Sequence, residues 1–293
     1  MTIRPRRSVL YMPGSNARAL EKARTLLADA LILDLEDAVA PEAKETARAQ
    51  VCAAVAAGGY GGREVVIRIN GLETPWGYAD MEAAAAAGPD AVLVPKVGSG
   101  TDIVRVSERL AAAGASARTR LWAMIETPLA ILNIAEIAAA AKAPGGRLAS
   151  FVMGTNDLVK ETRADLTRSR RPALFWLSAA ITAARAYGLD ALDGVYNNFR
   201  DAEGFRRECV HGRTLGFDGK TLIHPDQIAV ANEVFAPPEA EVAWARKIIA
   251  AFDEPEHKGK GVITVEGRMV ELMHAEMARR TVAIAEAISG RTP

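Results

Sequence analysis

Short apolar runs recur along the chain, and each is followed by a polar or Gly/Pro-containing turn and then by an alanine-rich stretch with helical periodicity. Several runs are continuously apolar, which is typical of parallel strands covered on both faces. The pattern predicts eight strands, at residues 8–12, 31–35, 65–69, 91–95, 121–125, 151–153, 191–196 and 221–223.

Eight strand–helix units in residues 1–235 indicate a (β/α)8 TIM barrel, since about 250 residues is typical of that fold. Helix punctuation agrees with this prediction: Pro41 stands where a first-turn proline is favoured, and Gly58 follows as a stop. A doubly wound open sheet is the alternative. Its glycine-rich dinucleotide fingerprint is missing after the first run, so the barrel is favoured.

The pattern changes after Phe235. Pro237 and Pro238 interrupt the chain, and helices are predicted at about 239–252 and about 270–289, separated by a Gly/Lys-rich stretch. Residues 236–293 are therefore predicted to form a C-terminal helical lid segment. The arginine-rich tract 161–172, after the sixth strand, is predicted to be a mobile charged loop, either a solvated surface or a substrate gate.

Composition narrows the functional classes. The chain of 293 residues carries 36 Lys plus Arg and 36 Asp plus Glu, so no global positive field attracts nucleic acid or a membrane surface. Cys52 and Cys209 are not in a CxxC pair, which argues against disulfide frameworks and thiolate zinc sites. No signal-peptide or membrane-spanning pattern is present, and a cytoplasmic location is expected.

Polar side chains follow the predicted strands at the end where TIM barrels carry their catalytic groups. Many of them have an ordinary alternative role as helix caps or strand-end charges. They are Asp34, Glu36, Asp37, Arg68, Asn70, Lys96, Glu126, Asn156, Asp157, Asn197, Asn198 and His224. They are predicted to converge on one mouth.

Glu126 and Asp157 follow adjacent predicted strands, and neither is needed there for local structure. Mg²⁺ takes one or two protein carboxylates and leaves its other positions to water and substrate, whereas zinc would require His or Cys. Arg68 would add a permanent positive charge suited to a carboxylate or enolate. The residues therefore predict a magnesium site that faces a developing negative oxygen.

Seven ordered blocks resemble the citrate lyase beta-subunit-like proteins of the HpcH/HpaI aldolase family, which include malyl-CoA, methylmalyl-CoA and citramalyl-CoA lyases. The blocks are RSVLYMPGSN, LILDLEDAVAPEAKETAR, VVIRING, AVLVPKV, MIETP, MGTNDL and GFDGKTLIHP. The resemblance implies a TIM barrel, Mg²⁺, and trimers or hexamers in which a C-terminal segment covers the neighbour's active site.

The resemblance also assigns roles to residues of this chain. Glu126 and Asp157 are expected to bind Mg²⁺, and Arg68, Glu126, Asn156 and Lys96 to contact substrate. The coenzyme A thioester is expected to lie against Tyr11, Asn16, Lys22, Ile223 and His224. Glu36 and Asp37 are expected to orient waters and Arg68.

The family's acid/base Asp lies in a block resembling GKMVD, and Glu271 occupies its place in GRMVELMH. An additional methylene displaces the carboxylate, and a misplacement of about 1 Å can cost about 10²-fold in rate. Glu271 is therefore the candidate acid/base, with a helix-start charge as its ordinary alternative. If Glu271 has only that role, Asp37 is the first candidate base within the mouth.

The expected activity is reversible cleavage of a 3-hydroxyacyl-CoA of the malyl, citramalyl or citryl type into a 2-oxo acid and an acyl-CoA. Two alternatives use the same ligand. One is a thioesterase, which would release the intact hydroxyacid. The other is a non-catalytic subunit that holds an acyl carrier protein within a citrate lyase complex.

Overall fold

A computed structural model describes residues 3–290, which divide into two compact units, residues 6–232 and residues 233–290 with 3–5. Within the first unit, eight parallel strands close into a barrel in sequence order. They are β1 Ser8–Pro13, β2 Ala30–Asp34, β3 Glu64–Arg68, β4 Ala91–Val94, β5 Arg120–Ile125, β6 Leu148–Met153, β7 Asp190–Asp193 and β8 Gly219–Leu222. The predicted TIM barrel is confirmed.

Most strand residues are apolar because the strands are covered both by the barrel interior and by the helical layer. Val9, Ile32, Leu93, Trp122 and Val152 point inward and fill the barrel. All five residues of β2 are buried, which shows that its outward side chains are also covered, by the helical layer.

Helices follow the strands and pack outside them. They are α1 Ala17–Ala23, α2 Lys44–Ala57, α3 Gly77–Ala87, α4 Gly100–Ala112, α5 Pro128–Leu132, α6 Ile134–Ala139, α7 Thr155–Thr162, α8 Leu174–Tyr187, α9 Ala202–Leu215 and α10 Ile228–Phe235. Pro41 begins a 3₁₀ turn that leads into α2, and Gly58 ends α2 at a φ of 66°, as its sequence predicted. Within the described part of the chain, none is long and apolar enough to span a membrane.

The amino-terminal end of the barrel is closed by one arginine. Arg6 donates two hydrogen bonds to Glu64, at 2.7 and 2.8 Å, pairs with Asp190, and lies 5.0 Å from the centre of the Trp122 ring. Because this buried ion cluster closes one end, the carboxyl end of the strands is the end that is available for ligands.

The second unit contains α11 Glu239–Asp253, β9 Val262–Val265, β10 Arg268–Glu271 and α12 Leu272–Ser289. The hairpin of β9 and β10 was not predicted. Glu266 and Gly267 both have positive φ, 48° and 77°, as a two-residue type I′ hairpin turn requires. The last predicted helix is found as α12, but it begins at Leu272 rather than near residue 270, because Val270 pairs with Ile263 in the hairpin.

Candidate active site

Glu126 lies directly after β5 at the carboxyl end of the barrel and is wholly buried. Its Oε1 accepts a hydrogen bond of 2.7 Å from the backbone N–H of Lys96. Its Oε2 is also buried, and no described residue donates a hydrogen bond to it. A buried carboxylate oxygen without a donor is costly, so this atom calls for a cationic partner.

Asp157 lies in the first turn of α7 and shares a cation with Glu126. The Lys96 ammonium contacts Asp157 Oδ1 and lies 3.6 Å from Glu126 Oε1. A Cβ placed on Gly154, the residue before α7, would lie 2.3 Å from the Glu126 Cβ, so the absence of a side chain there lets the two elements approach. The two carboxylates therefore converge on one positively charged atom.

The electrostatics of this pair fit a divalent cation. Burial raises the pKa of Glu126, the charge and the backbone N–H of Lys96 oppose the rise, and Asp157 adds to it. A cation bound between the carboxylates would relieve both the desolvation and the mutual repulsion. Among the residues that the structure describes, no His or Cys joins these two carboxylates in a metal-binding group, and carboxylate oxygens are the ligands that Mg²⁺ prefers.

Arg68, at the end of β3, is buried and held by the carboxylate of Asp34. Its Nε and Nη2 donate hydrogen bonds of 2.7 and 2.6 Å to the two Asp34 oxygens. Its Nη1 forms an ion pair with Glu36 Oε2 at 2.7 Å, but the geometry is not that of a hydrogen bond. The same Nη1 donates a hydrogen bond of 3.2 Å to Asp37 Oδ2. The Nη1 edge is thus the part of Arg68 that can turn to a substrate.

Asp34 was identified as a strand-end polar group, but no role in the site was predicted for it. The signal was present in the register, since Asp34 on β2 is paired directly with Arg68 on β3. Asp34 is 1% exposed. Such a buried carboxylate needs a cation, and the two-pronged contact fixes the guanidinium plane.

Glu36 and Asp37 differ in exposure. Burial raises the pKa of Glu36 to about 8, Arg68 opposes this rise, and the neighbouring carboxylates Asp37, Glu126 and Asp34 add to it. Asp37 is mostly exposed, with 69% of its side-chain surface accessible. Glu36 is therefore a carboxyl group that can exchange a proton near neutral pH, and Asp37 is the carboxylate open to solvent.

The residues predicted to hold coenzyme A lie in three places. Tyr11 is inside the mouth, with Arg68 4.9 Å from its ring centre and its hydroxyl 3.6 Å from Met124 Sδ. Asn16 caps α1, where its Oδ1 accepts from the N–H of Ala19 at 3.1 Å, and Lys22 is exposed on the same helix.

Ile223 and His224 follow β8. The His224 ring stacks on Phe199 with 4.7 Å between ring centres, and Ile223 is 40% exposed. Phe199, 42% exposed, was not predicted from the sequence. The stacked rings of Phe199 and His224, together with the exposed Ile223 that precedes His224 in the chain, are called here the shelf. Such apolar and aromatic groups suit the thioester arm of a ligand.

Asn156 and Glu271 have local partners of their own. Asn156 is exposed and exchanges side-chain hydrogen bonds of 2.8 and 3.3 Å with Asn197. Glu271 belongs to the second unit, where it ends β10 and is the N-cap residue of α12, and its backbone N–H donates to His274 Nδ1 at 3.0 Å. Locally, Glu271 thus has the helix-start position that is its ordinary alternative, and its acid/base role stays a prediction.

The chain is similar to known proteins along nearly its whole length. The chain is 49% identical to (3S)-malyl-CoA thioesterase of Cereibacter sphaeroides strain ATCC 17025 over 285 residues, 97% of this chain and 96% of that protein. It is 35% identical to citrate lyase subunit beta of Escherichia coli K12 over 288 residues, 97% of this chain and 94% of that one.

Among solved structures, CitE of Mycobacterium tuberculosis in complex with magnesium, acetoacetate and coenzyme A superposes with a TM-score of 0.73 and 30% sequence identity. The superposition covers 95% of this chain and 97% of CitE. The family model for HpcH/HpaI aldolase/citrate lyase matches residues 7–225, which span all eight barrel strands. The chain therefore belongs to the HpcH/HpaI aldolase/citrate lyase family.

Proposed function

We propose that this protein is a magnesium-dependent thioesterase for a malyl-type 3-carboxy-3-hydroxyacyl-CoA, releasing the hydroxyacid and free coenzyme A. The observation that carries this proposal is the 49% identity to (3S)-malyl-CoA thioesterase along 97% of the chain. That relative is markedly more similar than citrate lyase subunit beta, at 35% over the same share. The predicted carbon–carbon lyase is kept as a second candidate.

Glu126 and Asp157 are the residues that would hold Mg²⁺. The Glu126 Oε2 atom, buried without a donor, supports this assignment, and Lys96 keeps the other oxygen of Glu126 in place through its backbone N–H. When bound, the ion would supply a Lewis acid that offsets the negative charge of the hydroxyacid's carboxylate and polarises its hydroxyl. The magnesium and coenzyme A in the complex of CitE are consistent with this ligand pair.

Arg68 would stabilise the negative charge that grows on the thioester oxygen when water attacks the carbonyl carbon. Its Nη1 edge is the available donor, since Asp34 occupies Nε and Nη2. Asp37, which accepts from Nη1 at 3.2 Å and is solvent-exposed, is the carboxylate most easily displaced by a substrate. The contact with Asp34 keeps the guanidinium oriented during this exchange.

Proton transfer requires a carboxylate near the mouth. Asp37 and Glu36 both flank Arg68, and a carboxyl whose pKa is about 8, as for Glu36, is close to the value that favours acid/base work near neutral pH. In the hydrolytic reaction we assign Asp37 or Glu36 to take the proton of the attacking water. Glu271 is the alternative group, supplied by the C-terminal segment of a neighbouring subunit.

The coenzyme A portion is proposed to run from the mouth over the shelf of Phe199, Ile223 and His224. Tyr11 would contact the thioester end, because it lies against Arg68. Asn16 and Lys22 would serve the nucleotide end, where the exposed Lys22 ammonium suits a phosphate. Lys96 and Asn156, beside Asp157, would contact the hydroxyacid.

A specific observation supports the lyase as second candidate. Citrate lyase subunit beta of Escherichia coli is similar along 97% of the chain, and Arg68 is equally suited to an acyl-CoA enolate. In that reaction the hydroxyl proton is removed, the bond to the thioester α-carbon breaks, and a 2-oxo acid leaves. Glu271 is the group we propose to take that proton, in a homotrimer or homohexamer whose C-terminal segments cover neighbouring mouths.

The two candidates differ in their products. The purified protein is incubated with malyl-, citramalyl- and citryl-CoA, with Mg²⁺ or with EDTA, and products are identified by mass spectrometry. We expect free coenzyme A and intact malate from malyl-CoA, only with Mg²⁺. Glyoxylate and acetyl-CoA as main products would establish the lyase instead. Asp157→Asn should abolish turnover, and Glu161→Gln, on the exposed side of the same helix, is the matched control.

A further inference from the structure

Four charged side chains form a buried cluster on the outer face of the barrel wall, separate from the mouth. They are Arg170, Asp193, Glu208 and Lys220, called here the Asp193 cluster. Asp193 and Lys220 are paired in register on β7 and β8, and both are wholly buried. The neighbouring pair, Leu192 and Gly219, faces the barrel interior, so the alternation of side chains turns the cluster outward.

Lys220 and Arg170 both donate to the carboxylates of the cluster. Lys220 Nζ donates to Asp193 Oδ2 at 3.1 Å, to Glu208 Oε1 at 2.7 Å and to the backbone carbonyl of Gly194 at 2.5 Å. Arg170 donates two hydrogen bonds, 2.5 and 2.9 Å, to the two Asp193 oxygens. Two cations and two anions therefore balance, and although burial works to raise the pKa of Asp193, Lys220 and Arg170 hold it below its usual value.

The cluster fixes the backbone at the end of β7. The N–H of Gly194 donates to Asp193 Oδ1 at 2.8 Å, and the carbonyl of Gly194 accepts from Lys220 Nζ. Thr221 Oγ1 donates to the Asp193 carbonyl at 2.9 Å. These side-chain contacts take the place of further β-ladder pairing. They explain why β7 ends at Asp193, although the sequence predicted a strand to residue 196.

Gly194 in turn supports the helix that carries Asp157. A Cβ on Gly194 would lie 2.6 Å from Thr155 Oγ1 and 2.8 Å from Thr155 Cγ2, so its backbone lies directly against the first residue of α7. On the other side, Gly154 lies against Glu126. The start of α7 is thus seated between Gly194 and Glu126, with Asp157 two residues further on.

The same cluster also holds the chain that leaves α7. The sequence predicted residues 161–172 to be a mobile charged loop, but the Arg170 side chain in that tract is only 11% exposed and is bound to Asp193. Asp193 therefore holds the tract that follows α7 as well as the strand end against which α7 begins.

We propose that the Asp193 cluster is a positioning element for the metal site, which sets Mg²⁺ affinity by fixing the seat of α7 and hence the placement of Asp157 relative to Glu126. The inference rests on the magnesium assignment of the proposed function, and it holds for either hydrolysis or cleavage. Partners outside the ligand set of a metal commonly change affinity about 10- to 100-fold when removed. Arg170 acts here through Asp193 and α7.

The test uses Arg170→Ala, which leaves Asp193 paired with Lys220, together with Arg170→Lys and the control Arg171→Ala at a neighbouring exposed arginine. Isothermal titration of MgCl₂ into the metal-free protein, without substrate, measures affinity. Amide hydrogen exchange over residues 155–162 measures the seating of α7. We expect Arg170→Ala to bind Mg²⁺ about tenfold more weakly with faster exchange in α7, Arg170→Lys to recover part of both, and Arg171→Ala to match wild type.

A role confined to stability gives a different pattern: Arg170→Ala melts at lower temperature but keeps wild-type Mg²⁺ affinity and α7 exchange, which would overturn the inference. If Arg170→Ala does not fold, Glu208→Gln repeats the test on a partly exposed member of the cluster, with the same direction expected and unchanged affinity overturning it. Product analysis runs in parallel. A wild-type protein that binds Mg²⁺ with the predicted dependence on Arg170, but turns over no thioester, would refute the proposed function alone.

Discussion

Glu126→Gln should make the metal-free protein more stable than wild type. When Mg²⁺ is added, the variant should instead be the less stable of the two. Without metal, the buried charge is unfavourable: burial raises the pKa of Glu126, which means that folding disfavours its charged form. A buried polar atom without its partner costs about 1–3 kcal/mol, and more when it is charged. Gln keeps the shape and the acceptor for the Lys96 N–H while removing the charge, so the variant should be more stable by about 1–2 kcal/mol.

The pH dependence of this stability difference follows from the linkage between proton binding and folding. A carboxyl with a raised pKa in the folded state binds more protons folded than unfolded, so its contribution to stability is lost as pH rises above the unfolded value. The advantage of Glu126→Gln over wild type in EDTA should therefore be small near pH 4 and larger at pH 7. Thermal melting measures it, because about 1 kcal/mol shifts Tm by about 2–4 °C in a domain of this size.

With Mg²⁺ the order should invert. At a Mg²⁺ concentration about 100 times Kd, a binding-competent protein gains about 2.7 kcal/mol, and the Gln variant, lacking one ligand, should gain little. Glu161→Gln, at an exposed site, should follow wild type in both conditions. If wild type and Glu126→Gln gain equally from Mg²⁺, or if the variant is the less stable protein in EDTA, the assignment of Glu126 is wrong.

Three further predictions concern the groups around the pair. Arg68→Ala should destabilise the fold by about 3–5 kcal/mol in urea unfolding, since it leaves the carboxylate of Asp34 buried without its cation. Arg68→Lys should fold but lose most of kcat. Full kcat in the Lys variant would show that Arg68 does not act in the transition state. Glu271→Gln should stop carbon–carbon cleavage and thioester α-proton exchange in D₂O but spare coenzyme A binding, with Glu271→Asp active; wild-type cleavage would leave only the helix-start role. Because the pKa of Glu36 rises from 4.5 to about 8, metal-free wild type should lose stability between those pH values more steeply than Glu36→Gln; parallel pH profiles of unfolding would contradict this.

The barrel could be predicted because parallel strands covered on both faces leave a periodic apolar signal. β2 and β4, buried at every position, are the clearest cases. The hairpin of β9 and β10 was missed because its apolar residues do not mark one face: Val262 and Met269 are exposed, whereas Ile263 and Val270 are buried. Its turn residues Glu266 and Gly267 were included in the Gly/Lys-rich stretch between the two predicted helices. The run of four β-branched residues from Val262 to Val265 was the available signal.

The candidate site was also predicted only in part. Glu126 and Asp157 were predicted from their positions after adjacent strands, and in the structure both carboxylates lie near the ammonium of Lys96. The anchoring of Arg68 by Asp34 was not predicted, because it depends on which residues are paired across β2 and β3, and a single sequence does not fix that register. Whether Arg68→Lys folds normally depends on this anchoring. The burial of Arg170 was missed for a related reason, since its partner Asp193 lies 23 positions away.

Hydrolysis of (3S)-malyl-CoA in H₂¹⁸O, with Mg²⁺ and saturating protein, tests the proposed function most directly. Attack of water on the thioester carbon places one ¹⁸O in a carboxylate of intact malate, with free coenzyme A in equal amount. We predict singly labelled malate, lost in EDTA and in Asp157→Asn but retained in Glu161→Gln. Glyoxylate and acetyl-CoA in place of labelled malate would contradict the thioesterase and establish cleavage of the carbon–carbon bond.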